Sequence, residues 1–95
     1  MPRPDTIEPA RIEPAMALAL QALVWTLQSP ARAERLLALT GLSVEELRGG
    51  AGEPGVLAAI LSFLEGHEAD LIDCAEALGT RPESLVAARR LLETA

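Results

Sequence analysis

Three features of the 95-residue chain predict an all-α fold: a compact bundle of five to six short helices arranged as stacked helical hairpins. Hydrophobic residues make up 49% of the chain but aromatic ones only 2%, namely Trp25 and Phe63. The core must then be Leu, Ala, Val and Ile, and Ala and Leu are strong helix formers, whereas strands favour β-branched and aromatic residues. Apolar residues also recur at helical spacing, and Gly- or Pro-containing breaks separate the recurring segments. The length suits one domain, expected over residues 13–95.

The first dozen residues, MPRPDTIEPARI, carry Pro2, Pro4 and Pro9, and the expectation for 1–12 is a flexible arm. The tandem IEPA at 7–10 and 12–15 is a short duplication on which no functional reading is built. A first helix is expected from Pro14, a residue suited to a first helical position, to about Gln28. Met16, Leu20, Leu23 and Leu27 repeat there at helical spacing. A helix apolar nearly all round is either central to its fold or shared with a partner. In the second case Leu18 and Trp25 would form the contact.

Ser29-Pro30 ends that helix and opens the next, ARAERLLAL, which stops before Gly41 in the usual C-cap manner. Ser43 and Glu46 have the spacing of a capping box over a short helix that ends at Gly49-Gly50. Glu53-Pro54 opens a fourth helix, whose Leu57, Ile60, Leu61 and Leu64 fit the amphipathic template and which Gly66 closes. A fifth, from about Glu68 to Leu78, is expected to bury Leu71, Cys74, Ala75 and Leu78 and to stop at Gly79. The sixth begins at Pro82 and runs to about Thr94, with Thr80 and Glu83 spaced for a second capping box. LALTGLSVEEL and AEALGTRPESL share an apolar helix end, a Gly, a short turn and an acidic helix start, which reads as one type of αα corner used twice.

Charge narrows the function classes. The net charge is −6, which opposes non-specific binding to nucleic acid or an anionic membrane. All basic residues are Arg, and Lys, Asn and Tyr are absent, as in a GC-rich bacterial genome. One cysteine excludes an intrachain disulfide and an ordinary multi-Cys zinc site. The apolar stretch Ala15 to Leu27 is too short to span a bilayer, which takes about 20 residues. The segment before it mixes Asp5, Glu8 and Glu13 with Arg3 and Arg11, unlike a secretory signal. The expected location is the cytoplasm.

CAEALGTRPESLVAARR, from Cys74 to Arg90, has the skeleton of a helix-turn-helix: small Ala75, then Gly79, then apolar Leu85. Those positions set the corner and carry no information about DNA. Base reading needs Arg, Lys, Asn or Gln on the exposed start of the second helix, with cations for phosphate. Here that surface offers Arg81 with Glu83, Ser84, Val86 and Ala87. The preceding helix adds Glu65, Glu68, Asp70, Asp73 and Glu76 with no cation among them, where counterion release would demand cations. A DNA-binding regulator using residues 70–92 stands as the alternative.

Catalysis finds little support. His67 and Cys74, each the only residue of its kind, are seven apart, or about 10 Å along a helix at 1.5 Å per residue. That is too far for direct proton transfer. Asp70 and Asp73 lack any EF-hand context, and Gly49 to Gly52 lacks the Lys and Ser or Thr of a phosphate loop. No enzyme activity, cofactor, metal site or small-molecule substrate is expected.

The segments ALALQALVWTL, ERLLALTGLSVEELR and FLEGHEADLIDCAEALGTRPESLVAARRLL resemble the domain of unknown function 3572 family, small proteins of alphaproteobacteria. The similarity covers about Glu13 to Leu92 and is most specific at LALTGLSVEELR and AEALGTRPESLVAARR. It implies a bacterial cytoplasmic protein and supplies no catalytic or binding residue. Where such sequences have an acidic cap before the Pro-Glu of the last helix this chain has Arg81, which leaves Thr80 as the expected cap and adds Arg81 to a basic patch with Arg89 and Arg90. The expectation is a non-enzymatic module that binds another protein or a second copy of itself. Its candidate surfaces are Leu18 with Trp25 on helix one, and the Arg81, Arg89, Arg90 patch beside the acidic face.

Overall fold

A computed structural model describes the backbone of residues 4–95 and the side chains of residues 11–95. Among the described residues there are six helices and no strand: α1 Pro4–Leu27, α2 Pro30–Thr40, α3 Val44–Gly49, α4 Pro54–Glu65, α5 Glu68–Ala77 and α6 Pro82–Glu93. The all-α bundle is thus as the composition predicts.

Local chemistry sets most of the boundaries. The Ser29 hydroxyl accepts from the Arg32 amide at 3.3 Å and caps α2, satisfying one of the free N–H groups of a helix start. Gly41 ends that helix in the left-handed region, φ 74°. The Ser43–Glu46 capping box over α3 is complete: the Glu46 amide donates to the Ser43 hydroxyl at 3.0 Å and the Ser43 amide to the Glu46 carboxylate at 2.9 Å. At the end of α5, Gly79 has φ 69°. The Thr80 amide there reaches back to the Ala75 carbonyl at 2.9 Å and the Gly79 amide to Glu76 at 3.1 Å, the paired bonds of a Schellman ending.

Two boundaries differ from expectation. α1 begins at Pro4, ten residues before Pro14; of the expected arm, residues 1–3 lie outside the described residues and 4–12 are helical. Pro9 and Pro14 each withdraw one bond from the ladder, but Glu8, Ala10, Arg11 and Glu13 are good helix formers. The second difference is at α6, whose N-cap is Arg81 with no side-chain cap bond, so the Thr80–Glu83 box does not form. Pro82 takes the first helical position and makes residue 81 the cap by register, while Thr80 belongs to the ending of α5.

The centre of the bundle is α4 packed on α6, with α1 against both. Leu57, Ile60, Leu61 and Leu64 of α4 are fully buried, and Leu36, Leu47, Leu85 and Leu92 close the core from α2, α3 and α6. α5 lies at the edge. Cys74 and Ala75 are buried as expected, but Leu71 and Leu78 are only half-buried against the core.

α1 is rotated relative to the expected apolar repeat. Its buried stripe is Ala15, Ala19, Ala22 and Thr26, with Leu23 beside it, while Leu20 and Leu27 are exposed and Met16 half-buried. Small residues let a helix backbone approach its neighbours closely, because interaxial distance follows the side chains at the contact. Thr26 tolerates full burial because its hydroxyl donates to the Ala22 carbonyl one turn back, at 2.8 Å.

Candidate functional site

Turning the alanine stripe inward leaves the larger apolar side chains of α1 facing out. Leu20, Val24 and Leu27 follow at i, i+4 and i+7, and are 37%, 57% and 46% exposed. They border a groove of about 530 Å³ whose opposite wall is Leu37 of α2 with Val44 and Leu47 of α3. Arg48 is the one charged residue lining it among those described. On the other side of Leu20 and Val24 lies a second groove of about 500 Å³, bounded by Gln21, Trp25 and Gln28 and by Ala77 and Leu78 at the end of α5. Leu20 and Val24 belong to both linings, so they form a ridge between two channels.

This surface is not centred where the sequence pointed. Trp25 is half-buried against the core, and the Arg32 guanidinium lies over its ring, 3.7 Å from the centroid. The same guanidinium donates from Nη2 to the Trp25 carbonyl at 2.5 Å. Trp25 therefore serves as the floor of a groove and as a partner for Arg32. Leu18 is half-buried and lines a different depression, about 470 Å³ between α1 and α6, with Ser84, Ala87 and Leu91. Leu20 was expected in the buried repeat and Val24 in neither surface, because a helix apolar nearly all round offers little contrast to show which face is buried. The available signal was quantity: α1 carries more large apolar side chains than one buried face can use.

The expected basic patch is divided. Arg89 is committed internally, with its Nε on Glu65 of α4 and its Nη1 on Glu93 at 2.7 Å; these bonds, to Glu65 first and then Glu93, raise the guanidinium pKa. Arg81 and Arg90 are exposed and make no ion pair among the described residues. Eight residues separate Arg81 from Arg89, or about 12 Å of helix rise. The acidic face is also partly neutralised, since Glu65 turns to Arg89 while Asp70 meets Arg35 of α2 and His67. Glu68, Asp73 and Glu76 remain exposed.

The α5–α6 corner has the shape of a helix-turn-helix, with Ala75 and Leu85 buried at its inner angle. Ser84 and Ala87, positions a recognition helix would turn to a base, also line the depression against α1, where Ser84 is half-buried and Ala87 exposed.

His67 and Cys74 are not brought together chemically. His67 is exposed, with Nδ1 at 3.5 Å from Asp70, whereas Cys74 is fully buried. Burial pushes the Cys74 thiol up to about 11, an effect opposed by Arg32 and reinforced by Asp70. The nucleophilic species is the thiolate, and this environment disfavours it. Among the described residues no three His, Cys, Asp or Glu side chains gather as metal ligands, and no helix is long and apolar enough to cross a membrane.

The chain belongs to one family by its sequence: Protein of unknown function (DUF3572), whose model matches residues 12–95. No curated protein and no solved structure matches the chain.

Proposed function

We propose that this protein is a non-catalytic helical module that acts by binding protein through the α1 ridge and its flanking grooves. The observation that carries the reading is the exposed Leu20, Val24 and Leu27 stripe beside an apolar groove. Single exposed leucines are ordinary, but a contiguous apolar surface with a groove is what an amphipathic helix or a complementary face docks on. Arg-only cations support a bacterial origin, and a single unpaired cysteine suits the reducing cytoplasm.

The test is affinity capture from bacterial lysate with the wild-type chain, Val24→Asp and Arg90→Glu, with circular dichroism to show that each is folded. Binding through the ridge predicts a protein retained by wild type and Arg90→Glu, insensitive to nuclease, and lost with Val24→Asp. A partner set that is the same for folded Val24→Asp as for wild type refutes the assignment of the surface.

A further inference from the structure

We infer that the groove between α1 and α3 binds a fatty acid, its hydrocarbon chain along the groove and its carboxylate on Arg48. The lining is the first observation. Three helices wall the groove: Leu23 and Leu27 stand on α1, Leu37 on α2, and Val44 and Leu47 on α3. Among the described residues every one that lines it is apolar except Arg48. A concave volume between about 300 and 1,000 Å³, apolar but for a few orienting polar groups, has the form of a small-molecule site, and this one is about 530 Å³. No local motif signals it, because its residues come from three separate helices.

Width favours a slim occupant. Leu20 to Leu27 covers about 10 Å of helix rise, so the groove has a mean section of about 50 Å², or about 8 Å across. A helix with its side chains is about 10–12 Å across and sets only one edge into such a space. An alkyl chain lies within it whole.

Charge selects the head group. Arg48 is exposed at the rim and makes no ion pair among the described residues. The two acids beside it on α3 do not line the groove, and Glu46 is turned to the Ser43 amide. A carboxylate carries the one negative charge that a single guanidinium matches, and its two oxygens suit the paired N–H groups. A phosphate monoester carries nearly two and would be left half-neutralised on a chain of net charge −6. An exposed ion pair adds little affinity, so Arg48 sets the direction of the chain while the methylenes removed from water hold it.

This inference goes beyond the protein-binding reading and is tested apart from it, since Val44 and Arg48 line this groove and not the channel beside Trp25. Octanoate, decanoate and dodecanoate, each kept below its micelle-forming concentration, are titrated calorimetrically into the wild-type chain, Val44→Asp and Arg48→Gln. Dodecyltrimethylammonium, the same chain length with a cationic head, is the control. A body of net charge −6 that merely adsorbs amphiphiles favours the cation, whereas a site built on Arg48 favours the anion. Val44 is 52% exposed and opens α3, where an aspartate is compatible with the helix start, and circular dichroism verifies that both variants are folded.

The expected result is one dodecanoate per chain, bound more tightly than the cation, with the methyl resonances of Leu37 and Val44 shifted in NMR spectra. The dissociation constant should tighten by up to about fourfold for each added methylene. Val44→Asp should weaken dodecanoate by about tenfold or more, and Arg48→Gln by about threefold. Absence of saturable binding, a cation held as tightly as dodecanoate, affinity independent of chain length, or undiminished binding by folded Val44→Asp each overturns the inference. None of these results alters the capture of a protein through Val24, which tests the protein-binding reading separately.

Discussion

Alkaline titration isolates one side chain of this protein. The chain has no Lys and no Tyr, the side chains that ordinarily titrate at roughly pH 10. Cys74 is then the one side chain that changes charge between about pH 9 and 11.5. Burial raises its thiol from 9.0 to about 11, so the folded state keeps the proton in a range where the unfolded chain has already lost it. Stability from this source is complete below pH 9 and is lost as the pH climbs toward 11. At about 1.4 kcal/mol per pH unit, the two-unit window amounts to about 3 kcal/mol, a large part of the roughly 5 to 15 kcal/mol of a small domain. Urea unfolding followed by the fluorescence of the single Trp25, at steps from pH 7.5 to 11.5, measures the loss directly. Cys74→Ala pays its own cost at neutral pH, about 1 kcal/mol for a small lost side chain, but its stability should stay level where wild type declines. Parallel profiles for the two proteins would refute the reasoning, because the pH dependence would then belong to some other group.

The remaining predictions concern packing and local geometry. Leu61→Ala should cost about 3 kcal/mol in urea unfolding, since Leu61 is fully buried in α4, whereas Leu39→Ala, at a position 76% exposed, should change stability by less than about 0.5 kcal/mol. A double-mutant cycle of Glu65→Gln and Arg89→Gln should give a coupling of about 1 kcal/mol that shrinks as salt is raised, since both partners are partly exposed. A coupling of zero would mean that solvent screens the pair completely. Gly79→Ala forces a side chain into the left-handed region at φ 69° and should destabilise by about 1 kcal/mol, visible as a lowered melting temperature without loss of helical signal.

Helix number and most boundaries could be read from the residues because their causes are local. Ser43 and Glu46 satisfy each other within one turn, Gly41 and Gly79 supply positive φ, and Pro30, Pro54 and Pro82 each mark a first turn whether or not a distant contact exists. Leu57, Ile60, Leu61 and Leu64 were legible as core because Ser62, Glu65 and the glycines around them give α4 the contrast that locates a buried face. α1 has no such contrast between residues 15 and 27. Its orientation is decided by what α4 and α6 can accept, and they accept alanine. The candidate site lies on the face left over, so a tertiary decision hid it from a reading of local pattern. The Arg89 pairing was hidden for a related reason: Glu65 and Arg89 are 24 residues apart, and only the packing of α4 on α6 makes them neighbours.

Three of the described arginines face their own chain: Arg32 on the Trp25 ring, Arg35 on Asp70 and Arg89 on Glu65. Those pairs fade quickly with distance, so a molecule arriving from beyond about 8 Å, one screening length at physiological salt, meets a body of net charge −6. For any acidic protein approaching the α1 ridge that field is a kinetic barrier in front of a stretch, Glu13 to Arg32, with no ionisable side chain between its ends. Encounter should be slow in dilute buffer and quicken as salt is added, opposite in sign to the behaviour of partners drawn together by opposite charge. Once an apolar face is seated on Leu20, Val24 and Leu27, salt should have little hold on how long it stays.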